Sequence, residues 1–154
     1  MLSILADTIA TDHEINLLIA RSIVARGLQN VGVLGLSYKA NLKVSILSPT
    51  ISFVNELIGH GISVKLYDPF FDAKEVNELV GVPIFDFPAG LSEFDSVVAI
   101  VDHDVCREAG HKLLEYLGNC RFILDNMGMW SGLAEEFAAL GIDYHICGDA
   151  NWLG

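Results

Sequence analysis

Positive charge is scarce in this sequence. Nine lysines and arginines stand against 20 aspartates and glutamates, which gives a formal net charge of −11 and an isoelectric point of about 4.6. A surface of this sign repels the phosphate backbone of DNA and RNA, so we expect no nucleic-acid partner. A small nucleotide is still compatible with this charge, because a pocket needs only local positive potential and backbone N–H donors.

Cysteine is also rare, with three residues at positions 106, 120 and 147 and no C-x-x-C pair. An odd number of widely spaced cysteines argues against both a disulfide framework and a zinc site. Each cysteine lies in or beside an apolar stretch, so we expect buried thiols of the kind common in cytosolic proteins.

A long uncharged run of apolar residues is missing as well. The most apolar N-terminal stretch, residues 15–28, is interrupted by Arg21 and Arg26, whereas a membrane span needs about 20 nearly uncharged residues. We therefore predict no signal peptide, no membrane partner and a cytoplasmic location. Hydrophobic residues nevertheless make up 52% of the chain and the mean hydropathy is +0.44, which predicts a full core and some apolar surface buried against a partner.

Helix and strand signals alternate along the chain, which is typical of an α/β domain. Thr11 and Glu14 have the spacing of a capping box and predict a helix from Asp12 to Arg26, apolar on two sides and so in contact with two surfaces. Ser48 followed by Pro49 predicts the start of the next helix. Further helices are predicted for residues 73–80, from Asp104 to about Gly118, and 131–140, and strands for residues 31–35, 63–67, 82–85, 96–101, 121–124 and 143–147.

This order of elements predicts a three-layer, Rossmann-like parallel sheet of five or six strands, preceded by a linker helix. Ligands of such sheets bind beyond the carboxyl ends of the strands, where the strand order reverses. The candidate binding positions are therefore residues 35–39, 68–71, 101–104 and 125–129.

The first of these segments does not have the dinucleotide fingerprint. Val33 stands where the first glycine of G-x-G-x-x-G would be, and Asp68 follows Gly35 much later than the ~20 residues that the fingerprint requires. We therefore reject NAD binding through this turn.

Tyr38 and Lys39 follow the first strand and are candidate ligand contacts. A lysine there can bind phosphate as a point charge, and a tyrosine can stack or donate a hydrogen bond. Spacing alone favours the simpler alternative, in which Lys39 is a solvated surface residue and Tyr38 a packed aromatic.

Two acidic constellations have similar alternatives. Asp102, His103 and Asp104 resemble a small acid–base or metal cluster, but consecutive residues at a strand end point in different directions, so a polar loop in which Asp104 caps a helix is favoured. Asp68 and Asp125 both end strands and can face one cleft as an acid–base pair, although turn and cap roles are the more ordinary interpretation.

Four segments carry a resemblance to a known family. Residues 33–41 read V-L-G-L-S-Y-K-A-N with Ser48-Pro49 after them, 61–69 read G-I-S-V-K-L-Y-D-P, 94–103 read F-D-S-V-V-A-I-V-D-H, and 122–126 read F-I-L-D-N. In this order and spacing they resemble the C-terminal domain of UDP-glucose/GDP-mannose dehydrogenases. Residues 13–16 and the helix after them resemble the end of the long central helix that joins the domains of that family.

These enzymes oxidise the C6 alcohol of a nucleotide sugar in two NAD-dependent steps. Their N-terminal domain holds NAD, and their central domain supplies the catalytic cysteine and lysine and forms the dimer. The resemblance implies that residues 1–29 are the end of the central, dimerisation helix region and that residues 30–154 are the UDP-binding C-terminal domain. It also implies that Tyr38 and Lys39 contact a nucleotide sugar.

Further expectations concern the cleft and the cofactor. Gly35, Asp68, His103 and Asp125 lie at predicted strand ends and are possible cleft residues, and we expect no catalytic residue and no metal on this chain. NAD is expected only in a full-length family enzyme, so this chain alone has no dehydrogenase activity. The chain then corresponds to an excised domain or a truncated gene, acting as a homodimer or with N-terminal domains that it lacks.

The sequence departs from the family pattern where charge is typical. A Thr-Asp-Asp string falls on Leu42, Lys43 and Val44, and two arginines fall on Ile46 and Met127. Neither Ile nor Met can replace an arginine that pairs with phosphate, since both lose the charge and every donor. A divergent, non-catalytic domain that serves assembly or binds another small ligand is therefore the alternative. An unrelated Rossmann-like binding module is the third possibility.

Overall fold

The computed structural model describes the backbone of residues 2–46 and 48–147, and the side chains of residues 14–46 and 48–147. Within these ranges the chain alternates strands with helices. The strands are β1 (Asn30–Leu34), β2 (Ser63–Tyr67), β3 (Ser96–Ala99), β4 (Phe122–Asp125) and β5 (Asp143–Ile146). The α-helices are α1 (Leu2–Ala25), α2 (Pro49–Gly59), α3 (Ala73–Val80), α4 (Asp104–Glu108) and α5 (Ala134–Ala139), with 3₁₀ segments at Ala89–Glu93, Gly110–Tyr116 and Ser131–Leu133.

The strands form one parallel sheet in the order β2-β1-β3-β4-β5. The chain moves outward from β1 to β2 and then returns across β1 to β3, so the strand order reverses between β1 and β3. This confirms the predicted Rossmann-like sheet, and the carboxyl ends of β1 and β3 form the edge at which sheets of this kind bind ligands.

Two apolar clusters cover the two faces of the sheet, which confirms the three-layer architecture. Alternate residues of β4 enter different clusters: Phe122 and Leu124 pack with residues of α1, α2 and α3. Ile123 packs with α5 and the 3₁₀ segments on the opposite face. Strands buried on both faces explain the nearly continuous apolar runs in the sequence.

Helix α1 begins at Leu2, so the predicted start at Asp12 is wrong. Residues 2–10 contain no Gly or Pro and include the good helix formers Leu and Ala, so the helix continues through Thr11. The side chains of Thr11 and His13 lie outside the described residues. No helix in the described ranges is long and apolar enough to cross a membrane.

Helices α2 and α3 begin where their sequences predict. The Ser48 side chain accepts a hydrogen bond from the backbone N–H of Thr50, as an N-cap does. Asp72 and Glu75 form a reciprocal capping box at the start of α3. Gly81, at a φ of 81°, ends α3 in the left-handed region that glycine adopts at low cost.

The strand predicted for residues 82–85 is wrong. Leu66 and Ile84 make a single bridge, in which Leu66 donates to the carbonyl of Pro83 and accepts from Phe85 N–H. Pro83 has no N–H to donate, so the ladder cannot extend from this bridge toward the start of the segment.

The segment after β3 also differs from its prediction. The strand ends at Ala99, before Val101. Helix α4 has His103, not Asp104, at its N-cap position, and it ends at Glu108. Gly110, at a φ of 52°, begins the 3₁₀ segment that follows α4, so one continuous helix to Gly118 does not form.

Candidate functional site

A cavity of about 630 Å³ lies at the carboxyl ends of β1, β3 and β4, beside α1. Its position matches the reversal of strand order between β1 and β3, and its volume is in the range of small-molecule sites. The wall is mostly apolar with a few polar side chains. It is lined by Ile15, Asn16, Ile19, Ser37, Tyr38, Lys39, Ala40, Pro49, Phe53, Val98, Ile100, Val101, Asp102, Leu124, Asn126, Met127 and Cys147.

Gly35 starts the loop that leads from β1 to this cavity. Its φ of 106° favours glycine, and a Cβ there would lie 2.6 Å from the Cβ of Val101. Its carbonyl accepts a 2.7 Å hydrogen bond from the Thr50 hydroxyl of α2. The loop therefore leaves β1 pressed between the segment after β3 and the start of α2.

Asp68, at the end of β2, is buried and holds the first part of this loop. Its Oδ2 accepts hydrogen bonds from the backbone N–H of Leu36 at 2.7 Å and from both the N–H and the hydroxyl of Ser37 at 3.0 and 3.1 Å. Its Oδ1 accepts from Phe70 N–H at 2.9 Å. Burial by itself raises the pKa of the Asp68 carboxyl. The donated hydrogen bonds, of which the one from His103 is the largest, outweigh burial and hold that pKa below its usual range.

His103 links Asp68 to the far end of the same loop. Its Nε2 lies 2.8 Å from Asp68 Oδ2, and its Nδ1 lies 2.9 Å from the backbone N of Asn41. A backbone N–H can only donate, so Nδ1 must be the acceptor and Nε2 carries the hydrogen that is given to Asp68. The structure therefore fixes a neutral imidazole, buried to 1% side-chain exposure, against an ionised carboxylate.

Asn41 completes the link with its own side chain. At a φ of 60° it adopts the left-handed conformation that asparagine tolerates better than most residues. Its Oδ1 accepts a 3.0 Å hydrogen bond from the backbone N–H of Asp104, the first residue of α4. The helix after β3 is thus capped by a distant loop, and the prediction that Asp104 is the cap is wrong.

Tyr38 and Lys39 lie in the middle of the tethered loop and line the cavity. Both are exposed, Tyr38 to 58%. Among the described residues no carboxylate pairs with Lys39, whereas Lys43 pairs with Glu75 and lies over the ring of Phe71. Lys39 is therefore a cation available to a ligand at the cavity.

Four apolar residues at positions that depart from the family pattern are exposed here. Leu42, Val44, Ile46 and Met127 are 49%, 40%, 75% and 60% exposed. Met127 lines the cavity, so an apolar side chain borders it at that point.

Asp125 is fully buried and holds the turn after β4. Its Oδ1 accepts from Gly128 and Met129 N–H, and its Oδ2 accepts from Trp130 N–H at 2.8 Å and from the Tyr144 hydroxyl at 2.7 Å. Burial raises the pKa of the Tyr144 hydroxyl, and the hydrogen bond from that hydroxyl to Asp125 raises it further. Asp125 thus has the turn role that the sequence favours, because both of its carboxylate oxygens accept hydrogen bonds from groups of the protein itself.

Tyr38 and Lys39 are therefore at the cavity wall. Gly35, Asp68, His103 and Asp125 are buried behind that wall and do not line it. Each of the latter shapes a loop that borders the cavity. Both carboxylates are occupied by hydrogen-bond donors, an arrangement that suits positioning and not proton transfer.

Sequence reasoning missed the contribution of α1. Ile15, Asn16 and Ile19 line the cavity, and the Asn16 amide donates to the Pro49 carbonyl at 3.0 Å, which ties α1 to the start of α2. The available signal was the two-sided apolar pattern of this helix. The pattern does not specify which side faces a cavity.

Cys106 and Cys120 are buried, as predicted, and burial raises the pKa of each thiol to about 12. Cys147 is half-buried, and burial raises its pKa as well. Thiols in this state are poor nucleophiles at neutral pH. In the described part of the chain, no three His, Cys, Asp or Glu residues group so as to hold a metal ion.

Comparison with known proteins gives one family. Residues 32–132 match the model of the UDP-glucose/GDP-mannose dehydrogenase family, UDP binding domain. An NDP-N-acetyl-D-galactosaminuronic acid dehydrogenase of Ralstonia nicotianae is 32% identical over 110 residues, which is 71% of this chain and 24% of that protein. A UDP-N-acetyl-D-glucosamine 6-dehydrogenase of Salmonella typhi is 26% identical over 115 residues, 74% of this chain and 26% of that protein. The chain spans about a quarter of the length of these curated relatives.

Solved structures agree on the fold. The UDP-N-acetyl-mannosamine dehydrogenase Cap5O from S. aureus superposes with a TM-score of 0.66 at 17% identity, over 92% of this chain and 31% of that one. A UDP-D-ManNAc dehydrogenase from Pyrococcus horikoshii gives a TM-score of 0.53 at 21% identity, over 70% of this chain and 25% of that one. At these identities the likeness concerns the fold alone.

Proposed function

Since this chain belongs to the UDP-glucose/GDP-mannose dehydrogenase family and contains its UDP-binding domain, we propose that it binds a UDP-linked sugar in the cavity beside Tyr38 and Lys39. The observation that carries this proposal is the placement of an exposed tyrosine and an exposed lysine, which has no carboxylate partner among the described residues, at the reversal of strand order. The proposal includes the division of the chain into a leading helix region, residues 1–29, and a binding domain, residues 30–154.

The chemistry of the cavity suits such a ligand. The Lys39 ammonium can neutralise a phosphate oxygen, and the Tyr38 ring can stack on a base or donate its hydroxyl. Apolar wall residues such as Ile100 and Leu124 can pack against the carbon faces of base and ribose. Hydrogen bonds that the backbone N–H groups of Leu36 and Ser37 donate to Asp68 hold the loop in place before a ligand arrives, which lowers the ordering cost of binding.

Catalysis is outside the role that we propose for this chain. Family members are NAD-dependent dehydrogenases, but the first turn does not fit NAD. The N–H groups of Leu36 and Ser37, which face a pyrophosphate in a dinucleotide turn, donate to Asp68. The Asp68 carboxylate is buried and already accepts those hydrogen bonds, so it is not available to a ribose hydroxyl. Oxidation of the sugar would need NAD and a nucleophile from other parts of a full-length enzyme.

Thermal unfolding and titration calorimetry with UDP, UDP-glucose, GDP-mannose and NAD test this proposal. We expect a UDP compound to stabilise the chain by about 2.7 kcal/mol at 100 times its Kd, and NAD to have no effect. Lys39→Ala should weaken the UDP compound about tenfold to a hundredfold, since it removes a charged hydrogen bond. Lys112→Ala removes the same charge from an exposed site away from the cavity and should leave the Kd unchanged.

Two results would contradict the proposal. Equal affinity of Lys39→Ala and the wild type for the UDP compound would mean that Lys39 does not contact the ligand. The absence of any shift with every nucleotide would leave the second candidate, a domain that serves assembly or another small ligand. That candidate is favoured by the exposure of Leu42, Val44 and Ile46.

Self-association is a separate part of the proposal. Ile19 and Ile23 of α1 are buried against the domain, while Leu18 and Val24 are each 40% exposed. We propose that this outer side of α1 contacts a second copy or another domain. Sedimentation equilibrium of the wild type and of Leu18→Glu tests the contact with a second copy, and an unchanged mass for the variant would oppose that contact.

A further inference from the structure

We infer that His103 is a positioning residue for Tyr38 and Lys39, acting through the loop that carries them. The inference rests on the proposed ligand site, and it adds a residue that lies behind the cavity wall. His103 neither lines the cavity nor has the exposure to touch a ligand.

The loop is fixed at its two ends and at few points between them. Asp68 receives the N–H groups of Leu36 and Ser37, and His103 receives the N–H of Asn41. Between these ends the described backbone makes one further hydrogen bond, from Tyr38 N–H to the Val44 carbonyl. The conformation of residues 38–40 therefore depends on where residues 37 and 41 are held.

His103 is the one group that joins the two tethers in the described part of the chain. Asp68 would still hold Leu36 and Ser37 without it, but Asn41 would lose its acceptor. Each ring nitrogen of the buried imidazole has one partner, and the two partners belong to different tethers. Here the second ring nitrogen accepts from the loop, and Asn41 in turn accepts from the start of α4. The ring of Phe70 packs against the imidazole at a centroid distance of 5.1 Å and restricts its orientation.

Two substitutions separate these bonds. The amide group of asparagine is as far from Cα, in bonds, as Nδ1 of histidine, so His103→Asn can keep an acceptor for Asn41 N–H while losing the donor to Asp68. The terminal amide of glutamine matches Nε2, so His103→Gln can keep the donor to Asp68 while losing the acceptor for Asn41. Both variants remain neutral, so neither changes the charge near the cavity.

The experiment measures two things on the full chain. Amide hydrogen exchange reports the Asn41 tether, and titration with UDP-glucose reports the site. We expect His103→Gln to speed exchange at Asn41 and neighbouring loop amides about tenfold and to weaken UDP-glucose by a similar factor, the effect of one net hydrogen bond. His103→Asn should stay within about twofold of wild type in both, even though it lowers the melting temperature by removing a donor from a buried carboxylate.

Different results would overturn the inference or the proposed function. If both variants weaken UDP-glucose equally, in proportion to their loss of stability, His103 is structural only. If wild type binds no UDP compound, the proposed function fails, and the exchange comparison alone still decides whether His103 holds the loop. If the variants do not fold, the ¹⁵N shifts of the His103 ring in wild type decide: a protonated Nδ1 would overturn the inference.

Discussion

Gly35 and Val101 approach so closely that a Cβ at position 35 would lie 2.6 Å from the Cβ of Val101 and 2.8 Å from its backbone N. This contact joins the end of β1 to the segment after β3, at the point where the strand order reverses. The first loop can pass over the sheet edge only because residue 35 has no side chain.

Gly35→Ala should therefore destabilise the chain by about 2 kcal/mol or more, since it adds both overpacking against Val101 and strain at a φ of 106°. Urea unfolding measures this. Gly118→Ala is the matched control, because no atom lies within 4 Å of a Cβ there and its φ is not positive. Equal stability of the two variants would show that the loop can move away from Val101 at little cost.

Asp68 should make the stability of the chain sensitive to acid. Its pKa is lowered in the folded state, so the unfolded chain binds more protons as the pH falls below about 4. The stabilisation is complete above the unfolded pKa, near 3.8, and is lost as the pH drops through the folded pKa. Asp68→Asn should cost about 2–3 kcal/mol at pH 7, and the gap from wild type should narrow steadily below pH 4.

Asp86→Asn is the control for this series, because Asp86 is exposed and its carboxylate has no hydrogen-bond donor among the described residues. Its unfolding free energy should follow that of wild type at every pH. A gap for Asp68→Asn that stays constant down to pH 2 would contradict the lowered pKa.

Two helix starts could be predicted from the sequence because the groups that cap them lie within a few residues of each other. Ser48 and Thr50, or Asp72 and Glu75, are neighbours in the chain, and so the starts of α2 and α3 are readable. Apolar runs of four or five residues likewise predict buried parallel strands. The cap of α4 could not be predicted in this way, because its first N–H is bound by Asn41 from another loop.

The same distinction applies to the candidate site. Motif order indicated Tyr38 and Lys39, and the structure places both at the cavity. The sequence places His103 at a strand end, and its bonds to Asp68 and Asn41 depend on how β1, β2 and β3 are arranged. No local pattern specifies that arrangement.

Tyr144→Phe should lower stability by about 1.5–3 kcal/mol, because it removes the hydroxyl that donates to the buried Asp125 carboxylate at 2.7 Å. The denaturant midpoint should fall while the m-value stays constant. Tyr116→Phe is the control, since Tyr116 is half-buried and its hydroxyl has no hydrogen-bond partner in the described residues. A loss shared equally by both variants would mean that the hydroxyl bond to Asp125 has no special weight.

Thiol labelling should divide the cysteines by burial. At pH 8 we expect Cys106 and Cys120 to resist iodoacetamide in the native chain, since both are buried and their pKa values lie near 12. Cys147 should react first, because it is only half-buried. All three should react in urea. Rapid native labelling of Cys106 would show that the packing around α4 opens readily, and peptide mass spectrometry identifies the labelled position.

The hydrogen bonds that hold the first loop leave part of its sequence free to vary. Its path is set by Gly35, Asp68, His103 and Asn41, none of which presents a side chain to the cavity. Leu42, Val44 and Ile46 are exposed, and their side chains take no part in those hydrogen bonds. A library randomised at these three positions should yield mostly folded members. The bonds that set the path of this loop are thus separate from the positions at which its sequence can vary.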